Sequence, residues 1–184
     1  MSAGNAPDPR WSEALLERAG GVRAVVFDID GVMTDGRLYR DDGGQEIKAF
    51  HSRDGLGLKA LMRNGFTVVA LTARTSNLVQ VRMQELGIEY LLQGREAKGE
   101  AFSEILQRTG LDAAQVAYMG DDLVDWPAMR RAGLKLCPGD ADGWIVERAD
   151  YATRAGAGRG AVREAAELLL AGHGLLDTWR ASFR

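Results

Sequence analysis

The stretch Val25-Val26-Phe27-Asp28-Ile29-Asp30-Gly31-Val32-Met33-Thr34-Asp35-Gly36 limits the possible fold more than any other in the chain. A largely apolar run over residues 22–27 ends in two aspartates one residue apart, followed by a glycine. Strands apolar on both faces belong to sheets covered by helices on both sides, the parallel sheets of α/β proteins. In such sheets ligands bind beyond the carboxyl ends of the strands. Two carboxylates at that edge repel each other, and a hard, oxygen-seeking cation such as Mg²⁺ relieves the repulsion.

The rest of the pattern agrees with an α/β sheet. A short helix is predicted at 11–19. A β-hairpin follows over about 37–50, turning at Asp41-Asp42-Gly43-Gly44, with Leu38, Tyr39, Ile47, Ala49 and Phe50 as its apolar residues. The next helix is expected at 55–63 with Leu56, Leu61 and Met62 on its apolar face. Strands at 66–71, 90–92, 116–119 and 134–137 then alternate with helices at 77–86, 98–109, 123–132 and 142–148, Pro127 lying in or near the first turn of the third. A glycine-rich loop at 155–160 precedes a last helix at 161–170. This alternation implies parallel βαβ units. At 184 residues and 46% apolar composition, one domain with a full core is expected. Its organisation reads as an N-terminal arm and short helix (1–20), one domain (21–172) and a tail (173–184).

Composition excludes several classes of partner. The net charge of −3, without a basic stripe, offers nucleic acid no electrostatic footprint. No apolar run approaches the ~18–20 residues of a membrane span, and no basic-then-apolar leader opens the sequence, so a cytoplasmic protein is expected. The single cysteine, Cys137, reads as a core residue. The glycines at 156–160 lack the spacing and context of a dinucleotide loop. His51 has no second histidine near it to form a metal site, and His173 is expected to be exposed.

Polar residues directly after apolar strands collect the chemistry: Asp28 and Asp30 after the first, Thr72 after the second, Gly120-Asp121-Asp122 after the fourth, with Lys98 at a helix start. One aspartate at a strand end is most often a turn former. The ordered combination carries the functional reading, because in a parallel sheet all four places meet at one edge. A carboxylate there can attack phosphorus to give an acyl phosphate. A Mg²⁺ shared by Asp28, Asp121 and the phosphate would neutralise the charges. Lys98 adds positive charge, Thr72 a hydrogen bond to a phosphoryl oxygen, and Asp30 a proton for the leaving oxygen.

These residues resemble a known set. Asp28-Ile29-Asp30-Gly31-Val32 with Thr34-Asp35-Gly36, then Thr72, Lys98 and Gly120-Asp121-Asp122-Leu123-Val124-Asp125, resemble the four motifs of haloacid dehalogenase superfamily phosphatases. Lys48-Ala49-Phe50-His51-Ser52-Arg53-Asp54-Gly55, the run 116–127, Arg148-Ala149-Asp150-Tyr151 and the run 158–164 resemble one family within it, the 3-deoxy-D-manno-octulosonate 8-phosphate (KDO 8-phosphate) phosphatases.

The resemblance implies a Rossmann-like parallel sheet with helices on both faces, capless, with a β-hairpin insertion after the first strand. It implies Mg²⁺-dependent hydrolysis of KDO 8-phosphate through an aspartyl-phosphate, in lipopolysaccharide precursor synthesis. Asp28 would be nucleophile and metal ligand, Asp30 the general acid/base and a ligand through its backbone carbonyl, and Asp121 the third ligand, with Asp122 and Asp125 behind them. Lys98 and Thr72 would hold the phosphoryl group. His51, Ser52, Arg53, Asp54 and Gly55, with Lys59, Arg74 and Arg82, would line the sugar-acid side, where a guanidinium can grip a carboxylate in two places.

The family also assembles as a homotetramer in which hairpins pair and a neighbour helps close each site. Here Trp179 and Phe183 of the tail are expected to reach that neighbour, so deleting 175–184 should change turnover more than stability. The sequence departs from the family at Ala73, at Lys59 and at Arg95-Glu96-Ala97, all on the substrate side. Two other readings follow from the same residues: a phosphatase for a nine-carbon sialic-type acid, whose enzymes tend to carry Glu where Arg74 stands, and a non-catalytic oligomerisation module of the same fold.

Overall fold

In the computed structural model, which describes residues 10–184, strand β1 (Ala24–Phe27) is buried on both faces. The expected N-terminal arm falls mostly on residues 1–9, outside the described residues. β1 lies between β4 (Thr67–Leu71) and β6 (Val116–Met119). Beyond them lie β5 (Tyr90–Leu92) on one side, β7 (Leu134–Cys137) and the edge strand β8 (Tyr151–Ala152) on the other, in the order β5-β4-β1-β6-β7-β8. Every pairing in this sheet is parallel. Phe27 sits opposite Ala70 and Met119, so β1, β4 and β6 release their next residues at one edge. The backbone remains tied past the strands: Asp28 N–H donates to Met119 O, Thr72 N–H to Leu92 O and Gly120 N–H to Leu136 O.

Alternation along β1 divides the core. Val25 and Phe27 face one layer, with Leu58, Leu61, Val79, Met83, Val162 and Leu169. This layer comprises α1 (Glu13–Gly20), α2 (Ser52–Arg63), α3 (Asn77–Leu86), α7 (Ala161–Gly172) and α8 (Leu176–Ala181). Ala24 and Val26 face the other, with Phe102, Ile105, Tyr118, Met129, Cys137 and Ile145. That layer comprises α4 (Lys98–Thr109), α5 (Trp126–Met129) and α6 (Gly143–Val146). The α/β expectation and the core position of Cys137 hold.

The differences are local and have physical causes. α2 starts at Ser52, earlier than apolar periodicity predicts, because His51 Nδ1 accepts a hydrogen bond from Arg53 N–H at 3.2 Å and caps the helix. Its inward face is Gly55, Gly57, Leu58 and Leu61, whereas Leu56 is 37% exposed. The two glycines hide the stripe because other groups occupy the space of their side chains. A Cβ on Gly55 would lie 2.8 Å from Arg82 Nη2, and one on Gly57 3.1 Å from Ala166 Cβ. The helix expected at 123–132 is a 3₁₀ turn, Leu123–Asp125, and the short α5.

His173 is not simply exposed: its ring packs edge-on against Phe66 at 4.8 Å, with Nε2 2.9 Å from Val22 O. Of the two tail residues expected at a neighbour, Trp179 buries with Leu176 against its own chain in α8, Arg163 lying 4.4 Å over its ring, whereas Phe183 is 62% exposed.

The hairpin consists of β2 (Tyr39–Arg40) and β3 (Glu46–Ile47), paired antiparallel apart from the main sheet. Leu38 and Ile47 on it are 57% and 56% exposed.

Candidate active site

Asp28 and Lys98 meet below the sheet edge. Lys98 opens α4 with its side chain buried, and its Nζ lies 2.9 Å from Asp28 Oδ1 and 2.5 Å from Asp125 Oδ1. Asp125, fully buried, also accepts from Tyr118 Oη at 2.8 Å and from the backbone N–H groups of Asp121 and Asp122 at 3.1 and 3.3 Å. Four donors saturate Asp125, so its task is to hold Lys98 and shape the turn that carries Asp121. Asp122, exposed, caps that turn by accepting from Leu123 N–H at 2.7 Å.

Asp28, Asp121 and Asp125 each offer an oxygen within 4.8 Å of the others. Three carboxylates around one ammonium leave excess negative charge in a desolvated place. Burial, then Asp125, pushes Asp28 up to about 7 despite Lys98. Burial, then Asp28 and Asp125, pushes Asp121 up to about 8. Burial also works against the Lys98 ammonium, but Asp28 and Asp125 outweigh it and raise its pKa. The donors are all oxygen and the charge is short by a cation, which fits Mg²⁺ held by Asp28 and Asp121. Gly31 makes this approach possible. It has φ 93°, and a Cβ there would lie 2.0 Å from Asp121 Oδ2.

Asp30, in the same turn, points to a different set of partners. Its Oδ1 pairs with Lys48 Nζ, and its Oδ2 lies 3.8 Å from Arg74 Nε. Thr72, buried at the end of β4, accepts from Arg74 N–H at 3.2 Å, which leaves its hydroxyl proton to donate. Arg74 Nη2 and Ser76 Oγ both donate to Glu46, at 2.7 and 2.8 Å. Burial works to raise the Glu46 pKa, but Ser76, Lys48 and Arg74 outweigh it and hold the carboxyl below its ordinary range. Sequence reasoning missed Glu46, Lys48, Ser76 and Tyr118 as site residues. For Lys48 two signals are present, its place at the head of the family-like run 48–55 and a lysine inside an apolar strand pattern, Ile47-Lys48-Ala49-Phe50.

The predicted sugar-acid residues divide. Ser52 and Arg53 are exposed at the start of α2, where His51 caps. Asp54 is buried and accepts from Arg163 N–H at 2.8 Å in the first turn of α7, whose own cap position is Gly160. It thus caps α7 from α2, and burial raises its pKa. Arg82 lies against Gly55, pairs with Glu85 at 3.0 Å and stands 5.9 Å from the Phe50 ring. Lys59 lines a surface depression with Met62, Arg63, Leu86 and Gly87, none of them another candidate.

Known proteins match this architecture. A family model described as haloacid dehalogenase-like hydrolase matches residues 45–133. The 3-deoxy-D-manno-octulosonate 8-phosphate phosphatase KdsC of Escherichia coli (strain K12) is 42% identical over 166 residues, 90% of this chain and 88% of that protein. The chain belongs to the KDO 8-phosphate phosphatase family of haloacid dehalogenase-like hydrolases. Solved members superpose closely. The enzyme from Yersinia pestis gives a TM-score of 0.89 at 40% identity, covering 91% of this chain and 90% of its own. A Moraxella catarrhalis member, in complex with magnesium ion, phosphate ion and KDO, gives 0.91 at 34% identity, covering 95% and 100%. Membership makes the chain a phosphoric monoester hydrolase, with Mg²⁺ as the cofactor its carboxylates suit. No helix among the described residues is long and apolar enough to cross a membrane.

Proposed function

We propose that the protein hydrolyses KDO 8-phosphate to KDO and phosphate in the cytoplasmic stage of lipopolysaccharide precursor synthesis. The observation that supports this most is the buried Lys98 between Asp28 and Asp125, with Asp121 opposite, in a chain 42% identical to KdsC.

Asp28 attacks phosphorus, and the bond to the sugar oxygen breaks as an aspartyl-phosphate forms. Asp30 gives a proton to the departing oxygen. It then takes one from the water that attacks the phosphoryl group, releasing phosphate and restoring the Asp28 carboxylate. Lys98 and Thr72 orient the phosphoryl oxygens. Asp28, Asp121 and the Asp30 backbone carbonyl would hold Mg²⁺, which offsets the charge of an anionic nucleophile approaching an anionic ester.

His51, Ser52, Arg53, Asp54, Gly55, Lys59, Arg74 and Arg82 form the sugar-acid side of this proposal. Arg74 supports the eight-carbon acid over the nine-carbon one, whose phosphatases tend to carry Glu there. The complete set of Asp28, Asp30, Thr72, Lys98 and Asp121 speaks against a purely structural module. The hairpin favours a homotetramer: strands of two residues are unstable alone, and Leu38, Tyr39 and Ile47 are exposed for pairing with another copy.

Phosphate release from a panel of phosphorylated sugar acids, with and without Mg²⁺, tests the reading. Turnover selective for KDO 8-phosphate and dependent on the metal is expected. A flat response across the panel would remove the substrate assignment.

A further inference from the structure

Lys48 is an unusual residue for an exposed hairpin, because its side chain is only 3% accessible. A buried ammonium is tolerated only where it is paired. Lys48 pairs with Asp30 Oδ1 and lies 3.5 Å from Glu46 Oε1. Glu46 in turn accepts from Arg74 Nη2 and Ser76 Oγ, and Arg74 Nε returns to within 3.8 Å of Asp30 Oδ2. With Asp30 ionised, the ring Asp30, Lys48, Glu46, Arg74 holds two anions and two cations and is neutral, unlike the carboxylates around Lys98; the proton that Asp30 Oδ2 carries for the acid step leaves it with one net positive charge.

Asp30 Oδ2, although buried, has no hydrogen-bond partner. The terminal torsion of an aspartate is broad, so nothing in the residue itself decides which oxygen faces a substrate. A lysine fixed on one oxygen does decide it.

We propose that Lys48 is the positioning residue of Asp30, and that Glu46 fixes Lys48 in turn, so that the hairpin sets the angle at which Oδ2 meets the leaving oxygen. The inference rests on the acid/base role assigned to Asp30 above. As the phosphorus–oxygen bond breaks, its electron pair stays on the leaving oxygen and the proton on Asp30 Oδ2 moves there. Lys48 keeps its own protons throughout and only holds Oδ1.

The test compares two esters in the full chain loaded with Mg²⁺. KDO 8-phosphate releases an alkoxide that needs a proton, whereas p-nitrophenyl phosphate releases an anion that does not. In Lys48→Met, kcat on KDO 8-phosphate should fall about ten- to a hundredfold while KM stays within about threefold. The loss on p-nitrophenyl phosphate should be far smaller. Lys48→Arg should recover most of the difference, and Glu46→Gln should shift both esters in the same sense but less. Equal losses on the two esters, or no loss in either variant, would overturn the proposal. If Lys48→Met does not fold, Glu46→Gln carries the same comparison. Wild-type protein that ignores KDO 8-phosphate would instead remove the parent substrate reading, and the contrast would be read with another alkyl monoester it cleaves.

Discussion

Lys98 Nζ lies 2.9 Å from Asp28 Oδ1 with both side chains buried, and Asp125 anchors the same ammonium from the other side. The Asp28 carboxylate thus sits beside a cation that cannot swing away, because Asp125 is itself fixed by Tyr118 and two backbone amides. The arrangement preorganises charge before substrate arrives.

Asp28→Asn separates chemistry from folding. The amide keeps the volume and a hydrogen-bond acceptor for Lys98, and it removes a negative charge facing Asp121 and Asp125. Turnover should fall to background while the urea midpoint without Mg²⁺ stays the same or rises. Activity retained in this variant would exclude attack by Asp28.

Metal and pH should act together on stability. Asp28 and Asp121 rise from 3.8 to about 7 and about 8 in the folded, metal-free protein. The folded state therefore holds more protons than the unfolded chain between pH ~4 and ~8, and its stability falls as pH rises through that window. Mg²⁺ held by the ionised pair would reverse the loss. Thermal melts with Mg²⁺ and with chelator should differ little at pH 5 and clearly at pH 8. An equal difference at both would contradict this account of the site.

Asp54 gives a contrast between holding helices and holding substrate. Its carboxylate caps α7, so Asp54→Ala should cost about 1–2 kcal/mol in urea unfolding. Asp54→Asn, which can still accept from Arg163 N–H, should retain most of that stability while KM for KDO 8-phosphate rises. An unchanged KM in the asparagine variant would leave Asp54 with the capping role alone.

Removal of residues 175–184 should damage stability first, reversing what the sequence suggests. Leu176 and Trp179 are buried in the core layer of α7, and Trp179→Ala alone should cost about 3 kcal/mol. Urea midpoints and kcat measured side by side decide it: an unchanged midpoint with reduced kcat would restore a role for the tail at a neighbouring subunit.

The parts of this protein that sequence reasoning reached are those where one local pattern suffices. α3, β5, α4, β6 and β7 carry clear periodicity and ends, and their predicted bounds coincide with the structure. Asp28, Asp30, Lys98 and Asp121 are singled out by their ordered combination at strand ends and a helix start. The residues missed act through partners far away in the chain. Lys48 meets Asp30 across 18 residues and Glu46 meets Ser76 across 30. Asp54, set on the sugar-acid side by the resemblance, shows its capping contact only with Arg163, 109 residues on. β8 is two residues long, and α8 follows a glycine with only two buried anchors, too little pattern for either to register.

Gly31 has one more consequence, for how such a scaffold can change. Its missing methyl is the clearance through which Asp121, from a different strand, reaches the first turn. A larger residue there would force the two loops apart together, so no single compensating substitution at position 121 restores the geometry. Position 31 is therefore a shared spacer for the Asp28 turn and the Asp121 turn, and a side chain placed there disturbs both at once.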